Sequence, residues 1–414
     1  MPSEKLAKAL SLLPLFMVIL LDVMGIILVM PVITPLILDQ ASTLIAPHSS
    51  VLWRDFMYGF ALALFPFFMF LSTPILGDLS DRFGRKKILL LCLIVNAMGC
   101  ALSALAIGLN SLSLLLISRA VAGLAAGTQP IATAGILDGS AKKNRTKNLS
   151  SVVLAVSIGL ILGPLLGGIT AEKSLISWFD YKIPFVAASL LSLINAVFLQ
   201  LAYGEKKVLR SKQPIQLTRG FILFMTAFSE KKFRLLSIIT FSFVLSWSLY
   251  YQTINWFLNQ HYQYSVGKLG LFVGFIGIIF AFTSTFGIRI CSKLCSNEVT
   301  IFAAAVFVMM IGNFGAAMSS GEIAQWFWVI FVATSDVICY TLSMSIFSHQ
   351  AGQEAQGWVM GVTGAIYAMT WTVGGLIVGP LGAIEIHVPF WVGGFLCLIS
   401  FILTWIYQRD HAVL

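Results

Sequence analysis

Apolar residues run along this chain in repeated blocks of about 20, separated by short polar and often basic stretches. Each block is long enough, as a helix, to cross the roughly 30 Å hydrocarbon core of a bilayer. Twelve such spans are predicted, at 12–38, 54–77, 88–107, 112–137, 148–172, 184–203, 233–258, 268–289, 298–318, 325–348, 357–381 and 388–408. The opening "MPSEKLAKALSLLPLF" has the short basic region and apolar start of a signal peptide. The apolar stretch continues past Met30 without a small-residue cleavage site, so it is expected to stay as the first helix. One residue breaks the pattern of that helix: Asp22 sits inside "VILLDVMGIILVMPVI", residues 18–33.

Composition agrees with the pattern. Of 414 residues, 58% are apolar and only 10% charged, and mean hydropathy is +0.92. A soluble domain is about half apolar and a quarter charged. The net charge of +9 would suggest nucleic acid as a partner in a soluble protein, but the placement of the basic residues argues otherwise. Twenty-one of them fall on one side of the predicted spans: Lys5, Lys8, Arg82, Arg85, Lys86, Lys87, Lys142, Lys143, Arg145, Lys147, the group Lys206, Lys207, Arg210, Lys212, Arg219, Lys231, Lys232 and Arg234, and then Arg289, Lys293 and Arg409. The other side has four, Arg54, Lys173, Lys182 and Lys268, and Arg119 lies inside a span. The positive-inside rule then puts both termini in the cytoplasm. The sequons at Asn144 and Asn148 fall on that side and carry no meaning for glycosylation. The six cysteines, 92, 100, 291, 295, 339 and 397, are scattered, and no His cluster joins Cys291 and Cys295. Neither a metal site nor a structural disulfide is expected, and no cofactor.

The polar, basic segment 204–232 separates six spans from six, giving bundles 1–203 and 233–414. A weak internal repeat supports this division: "GLILGPLLGG" (159–168) lies in the fifth span and "GGLIVGPLG" (374–382) in the fifth of the second half. Parallel halves of this kind are a recurrent transporter plan. In lipid, such Gly and Pro density allows helices to approach and bend. The candidate packing positions are Gly159, Gly163, Pro164, Gly167 and Gly168. The loop after the second span reads "GDLSDRFGRKK" (77–87). There Gly77 would let helix ends approach and Gly84 would allow a tight bend. Asp81 could sit at the start of a partner helix, where the dipole favours a carboxylate.

This loop resembles the signature loop of the major facilitator superfamily, Gly-x-Leu-x-Asp-Arg-x-Gly-Arg-Lys, at every defined position. "SRAVAGLAAG" (118–127) is similar to the second motif, with Arg119 as its buried arginine, and "GLILGPLLGG" is similar to the motif of the antiporter members. "LLDVMGIILVMPVITPLI" resembles the first helix of the tetracycline/proton antiporters, including its acidic residue at Asp22. The interior of the ninth span lacks the acidic residue that tetracycline exporters carry. The resemblance implies an all-α membrane fold of twelve helices in two pseudo-symmetric six-helix bundles. It implies a gating cluster of Gly77, Asp81, Arg82, Gly84, Arg85 and Asp138, in which Asp81 docks on the eleventh helix and Arg85 reaches Asp138 at the end of the fourth. The second-half counterpart, "GIRICSKLC" (287–295), has no Asp, so the latch is expected to be asymmetric.

Three charged side chains lie well inside the predicted spans: Asp22, Arg119 and Asp336, in spans 1, 4 and 10. The resemblance implies that spans 1, 4, 7 and 10 line the central cavity. Span 7 adds Trp247, Tyr250, Tyr251, Gln252, Asn255 and Trp256, and span 4 adds Gln129. Sparse charge among many rings suits an amphipathic organic solute better than a sugar. A carboxylate in a low dielectric favours its neutral form and can release the proton when water reaches it. Asp22 is therefore a candidate proton carrier, each charge moved across 100 mV being worth about 2.3 kcal/mol. It could instead form a fixed pair with Arg119, or contact substrate alone. At 1.5 Å per residue the two lie about 15 and 27 Å from the cytoplasmic side, so a tight pair is not assured. Asp336 is open between a second proton site and recognition of a substrate cation.

No phosphate loop, metal-binding His pair or gathered Ser/His/Asp set is found, so neither an enzyme nor an ATP-driven pump is expected. The resulting expectation is a proton-coupled exporter of amphipathic solutes or drugs, a monomer in the inner membrane whose partners are substrate, protons and lipid. Transport of a specific metabolite such as a siderophore is the alternative.

Overall fold

The computed structural model describes residues 2–40, 42–46, 48–139, 145–205, 216, 218–351 and 356–411. Lys142, Lys143, Asn144, Lys206, Lys207, Arg210 and Lys212 lie outside the described residues. No strand is present among the described residues, as expected where lipid offers the backbone no hydrogen bonds.

The helices run α1 (Pro2–Ile27), α2 (Val29–Leu38), α3 (Val51–Phe83), α4 (Arg85–Gly108), α5 (Leu112–Ala125), α6 (Thr128–Gly139), α7 (Arg145–Ala171), α8 (Ile183–Ala202), α9 (Arg219–Ser229), α10 (Lys231–Tyr262), α11 (Val266–Phe282), α12 (Ile288–Leu294), α13 (Glu298–Met318), α14 (Glu322–Ala351), α15 (Gln356–Ile384) and α16 (Val388–His411). A π-helical turn, Thr283–Gly287, joins α11 to α12. Among the described residues, twelve stretches are long and apolar enough to cross a membrane, and all twelve overlap the predicted spans.

Three differences from the sequence reading bear on function. The second span does not end at residue 77: α3 runs on to Phe83 and α4 begins at Arg85, so the signature loop is almost wholly helical and turns at Gly84 alone. With φ +103°, Gly84 has the left-handed backbone that only glycine adopts freely. The fourth span is two helices, because Ala126 and Gly127 leave the helical path between α5 and α6, Gly127 at φ +81°. Finally, the 204–232 segment is not polar throughout. Its "GFILFM" run folds as α9.

The chain forms two compact units. One comprises Met1–Pro47, Phe67–Arg219 and Ser265–Gly274, and the other His48–Pro66, Gly220–Tyr264 and Phe275–Leu414. The first is built around Leu15, Ile19, Leu89, Ala132, Ile136 and Leu199, all fully buried. In the second, Phe243 meets Phe302 edge-on with ring centroids 5.4 Å apart, and Phe233 stacks on Phe347 at 6.2 Å.

Candidate functional site

In the first unit, the break in the fourth span faces Asp22. The first N–H groups of any helix lack partners within it. Here the Asp22 carboxylate accepts hydrogen bonds from the backbone N–H of Thr128 and Gln129 and from the Thr128 hydroxyl, at the very start of α6. A carboxylate at a helix N-terminus is favoured both by these donors and by the dipole. The break needs Gly127 twice over. Its φ is positive, and a Cβ there would fall 2.1 Å from Thr73 Oγ1.

Asp22 is held in place from behind. Gly159, Gly163 and Gly167 recur every four residues along α7, and Cβ atoms on them would lie 2.8, 3.0 and 2.4 Å from the carbonyl oxygens of Leu20, Met24 and Leu28. One face of α7 thus lies directly on the α1 backbone on both sides of Asp22. Gly168 packs onto Gly270 of α11, where its Cβ would be 2.7 Å from the Gly270 Cα, and a Cβ on Gly270 would be 2.6 Å from the Pro164 carbonyl.

Arg119 is buried in α5, 6% exposed. No ion pair between Asp22 and Arg119 is present among the described residues. Along α4, Asp22 acts electrostatically on Cys92 and Arg119 on Cys100. Those two cysteines are eight positions apart, about 12 Å of helix.

Elsewhere in this unit, Arg85 Nη2 pairs with Asp138 Oδ2 at 3.0 Å, joining α4 to the end of α6. Glu205 accepts the backbone N–H of Arg85 and, at 3.4 Å, that of Lys86, so it caps the start of α4. Tyr203 lies beside this cluster. Burial, with the Glu205 and Asp138 charges, pushes its phenol up, against the pull of Arg85. Asp81 is exposed in the last turn of α3, with no hydrogen bond or ion pair among the described residues. Arg82 lies over the Phe83 ring at 5.5 Å. Gly77 is inside α3, and a Cβ there would meet nothing within 4 Å among the described residues, so close helix approach does not require it.

The second unit gathers the span 7 residues on α10. Trp247 stacks on Tyr250 at 6.1 Å and lies 5.4 Å from both Tyr251 and Phe280. Tyr251 meets Trp371 at 5.7 Å, and Trp256 meets Tyr58 at 5.8 Å. Tyr58 also donates to the Gln252 carbonyl at 2.8 Å. Gln252 Nε2 donates to Ser248 Oγ at 2.7 Å and Asn255 Nδ2 to the Tyr251 carbonyl at 2.9 Å. Among the described residues, the Tyr250 and Tyr251 hydroxyls, Gln252 Oε1 and Asn255 Oδ1 have no hydrogen-bond partner, although all four are buried. Burying such groups unpaired costs free energy. α10 therefore carries unspent donors and acceptors among rings.

Asp336, on α14, is 6% exposed and makes no hydrogen bond or ion pair among the described residues. It is close enough to Cys339, Tyr340, Tyr367 and Cys397 to act on each electrostatically. Tyr340 and Tyr367 meet edge-on at 4.9 Å, and the Tyr367 hydroxyl lies 3.3 Å from Ser343 Oγ.

Several of these residues escaped the sequence reading. Thr128 donates to Asp22 and Glu205 accepts at the start of α4, and a hydropathy profile registers neither hydrogen bond. Asp55 lies near a predicted span end, where an acid is commonly solvated, yet α3 begins earlier and leaves it 4% exposed.

The Major Facilitator Superfamily profile matches residues 15–375. The chain is 27% identical over 373 residues to the class C tetracycline resistance protein of Escherichia coli, covering 86% of each. It is 25% identical over 358 residues to multidrug resistance protein 2 of Bacillus subtilis (strain 168), covering 85% of this chain and 86% of that one. In fold it is similar to the human organic anion transporter MFSD10, with a TM-score of 0.70 and 18% identity over 96% of this chain and 99% of that one. Twelve apolar spans, the helical signature loop and this match over most of its length place the chain in the major facilitator superfamily of membrane transporters.

Proposed function

We propose that the protein exports amphipathic organic solutes in exchange for protons, by alternating access, as a monomer in the cytoplasmic membrane with both termini inside. The observation that carries this reading is the Asp22 carboxylate bonded to the first N–H groups of the half-helix α6. As an anion, Asp22 ties α1 to α6 through three donors. Once protonated it loses its attraction for the helix start, and the tie slackens. Proton binding is thus linked to the relation of spans 1 and 4, which is what a coupled carrier requires. Discontinuous helices whose N-termini face a charged group recur at transporter ion sites.

Asp336 serves as a second proton site. Having no donor to hold it as an anion, it is the more dependent on a proton or a substrate cation for neutrality. Trp247, Tyr250, Tyr251, Gln252, Asn255 and Trp256 form the solute surface, their rings giving apolar contact and their unpaired groups orientation. Arg119 and the Gln129 side chain contribute polar contacts. Arg85 and Asp138 form the inner latch. Export is supported by the antiporter motif and by relatives named for tetracycline and multidrug resistance. Orientation is supported by the bias of 21 basic residues to four.

Inside-out vesicles, given a panel of labelled amphipathic cations, zwitterions and sugars with and without an imposed pH gradient, test this. Gradient-driven accumulation of an aromatic solute is expected. Uptake that no pH gradient changes would contradict proton coupling, and accumulation of sugars alone would contradict the solute class.

A further inference from the structure

The helix α9 has a face that neither the transport reading nor the fold accounts for. Its inner side is well seated: Phe224 and Phe228 pack on Phe241, with ring centroids 6.5 and 6.1 Å apart, and Leu223 lies against Gly361. Its last carbonyls are bound to the first turns of α10. Arg234 Nε donates to the Phe228 carbonyl at 2.9 Å and Nη2 to that of Ser229 at 3.0 Å, and Ser237 Oγ donates to the Ala227 carbonyl at 2.8 Å. The side turned away presents Ile222 and Met225, three positions apart and 49 and 63% exposed, and Phe221, 42% exposed, lies between the two sides.

Depth decides what covers that face. At eleven residues, α9 is about 16 Å long and cannot cross a bilayer. It is bonded to the foot of α10, where Lys231, Lys232 and Arg234 are exposed and mark the headgroup level. Glu230 adjoins them in sequence, and Arg219 at the start of α9 is ion-paired with Asp78. An apolar face at headgroup depth, flanked by exposed lysines, is complementary to an anionic lipid surface.

We propose that α9 is an in-plane membrane anchor, with Phe221, Ile222 and Met225 among the acyl chains of one leaflet and Lys231 and Lys232 on anionic phosphate headgroups. The inference rests on the chain spanning a membrane and does not depend on proton coupling.

The test uses the full-length protein in nanodiscs, with Cys291 and Cys295 changed to Ser and a spin label on Met225→Cys or, separately, Ile222→Cys. Collision with oxygen is expected to exceed collision with a water-soluble nickel chelate at both positions. The label should lie deeper in phosphatidylglycerol-containing discs than in pure phosphatidylcholine, and Lys231→Gln with Lys232→Gln should abolish that difference. Greater access to the nickel chelate would show an aqueous face, and shielding from both reagents would show a protein partner; either overturns the anchor. Equal depth in the two lipids would overturn the anionic contact.

Discussion

Asp22 and Asp336 are both carboxylates in helical spans, the first half-buried and the second buried, yet they are held in opposite ways. Asp22 meets three donors at the start of a broken helix, whereas Asp336 meets none among the described residues and is surrounded by Tyr340, Tyr367 and two cysteines. The donors on Asp22 favour its charged form where the low dielectric opposes it, so its charge state is coupled to the position of α6. An unsupported carboxylate gains nothing from staying charged and responds instead to whatever enters its surroundings. On the proposed function the two acids have different tasks: Asp22 couples the proton to helix position, and Asp336, the second proton site, balances charge.

The contrast can be broken by substitution, beginning where the effect should be largest. Gly167→Val places a branched side chain where even a Cβ would lie 2.4 Å from the Leu28 carbonyl. Neither helix backbone can yield cheaply, so the folded yield on size-exclusion chromatography should collapse, while Gly77→Ala, with open space at its Cβ, should match the parent. Next, Thr128→Val removes one donor from Asp22. Hydrogen bonds to charged groups contribute about 1.5–3 kcal/mol each, so the melting temperature should fall clearly. Ser343→Ala, whose hydroxyl bonds Tyr367 rather than Asp336, should cost less. Asp336→Asn should leave the melting temperature unchanged or raised, because it removes a buried charge that no donor repays. Equal destabilisation by Thr128→Val and Asp336→Asn would erase the distinction.

The smallest effect concerns Glu172, beyond the end of α7. Burial works against its charge, but hydrogen bonds from Ser265, the Gly267 N–H and Ser174 outweigh it and hold the carboxyl below the usual range. The folded value is lowered, so the contribution is present above the ordinary carboxylate value of about 4.3 and is lost as pH falls through the folded value. Glu172→Gln should therefore be slightly less stable than the parent at neutral pH, and the gap in melting temperature should close in acid. A gap that persisted or widened in acid would contradict this assignment.

Most of the fold is legible in the sequence because lipid leaves the backbone little choice: a long apolar block must be a helix. Asp22, Asp336 and the Gly159–Gly168 repeat stand out for the same reason, each being a residue that lipid-facing helices do not need. The break at Ala126–Gly127 is hidden, since "AVAGLAAG" reads as a packing face and its hydropathy carries across the interruption. Glu205 is hidden because an acid in a charged linker gives no sign that it will cap α4. Because α9 follows the basic run 206–212, the average polarity of the segment masks its apolar core.

Asp22 is the proposed carrier of the coupling proton, and one substitution tests this claim directly. Asp22→Asn retains size and an acceptor oxygen but cannot exchange a proton near neutral pH. In proteoliposomes, this variant should lose pH-gradient-driven accumulation of a transported solute while keeping solute exchange across the membrane at zero gradient. Undiminished gradient-driven accumulation by a stably folded Asp22→Asn protein would contradict the claim and shift the coupling to Asp336.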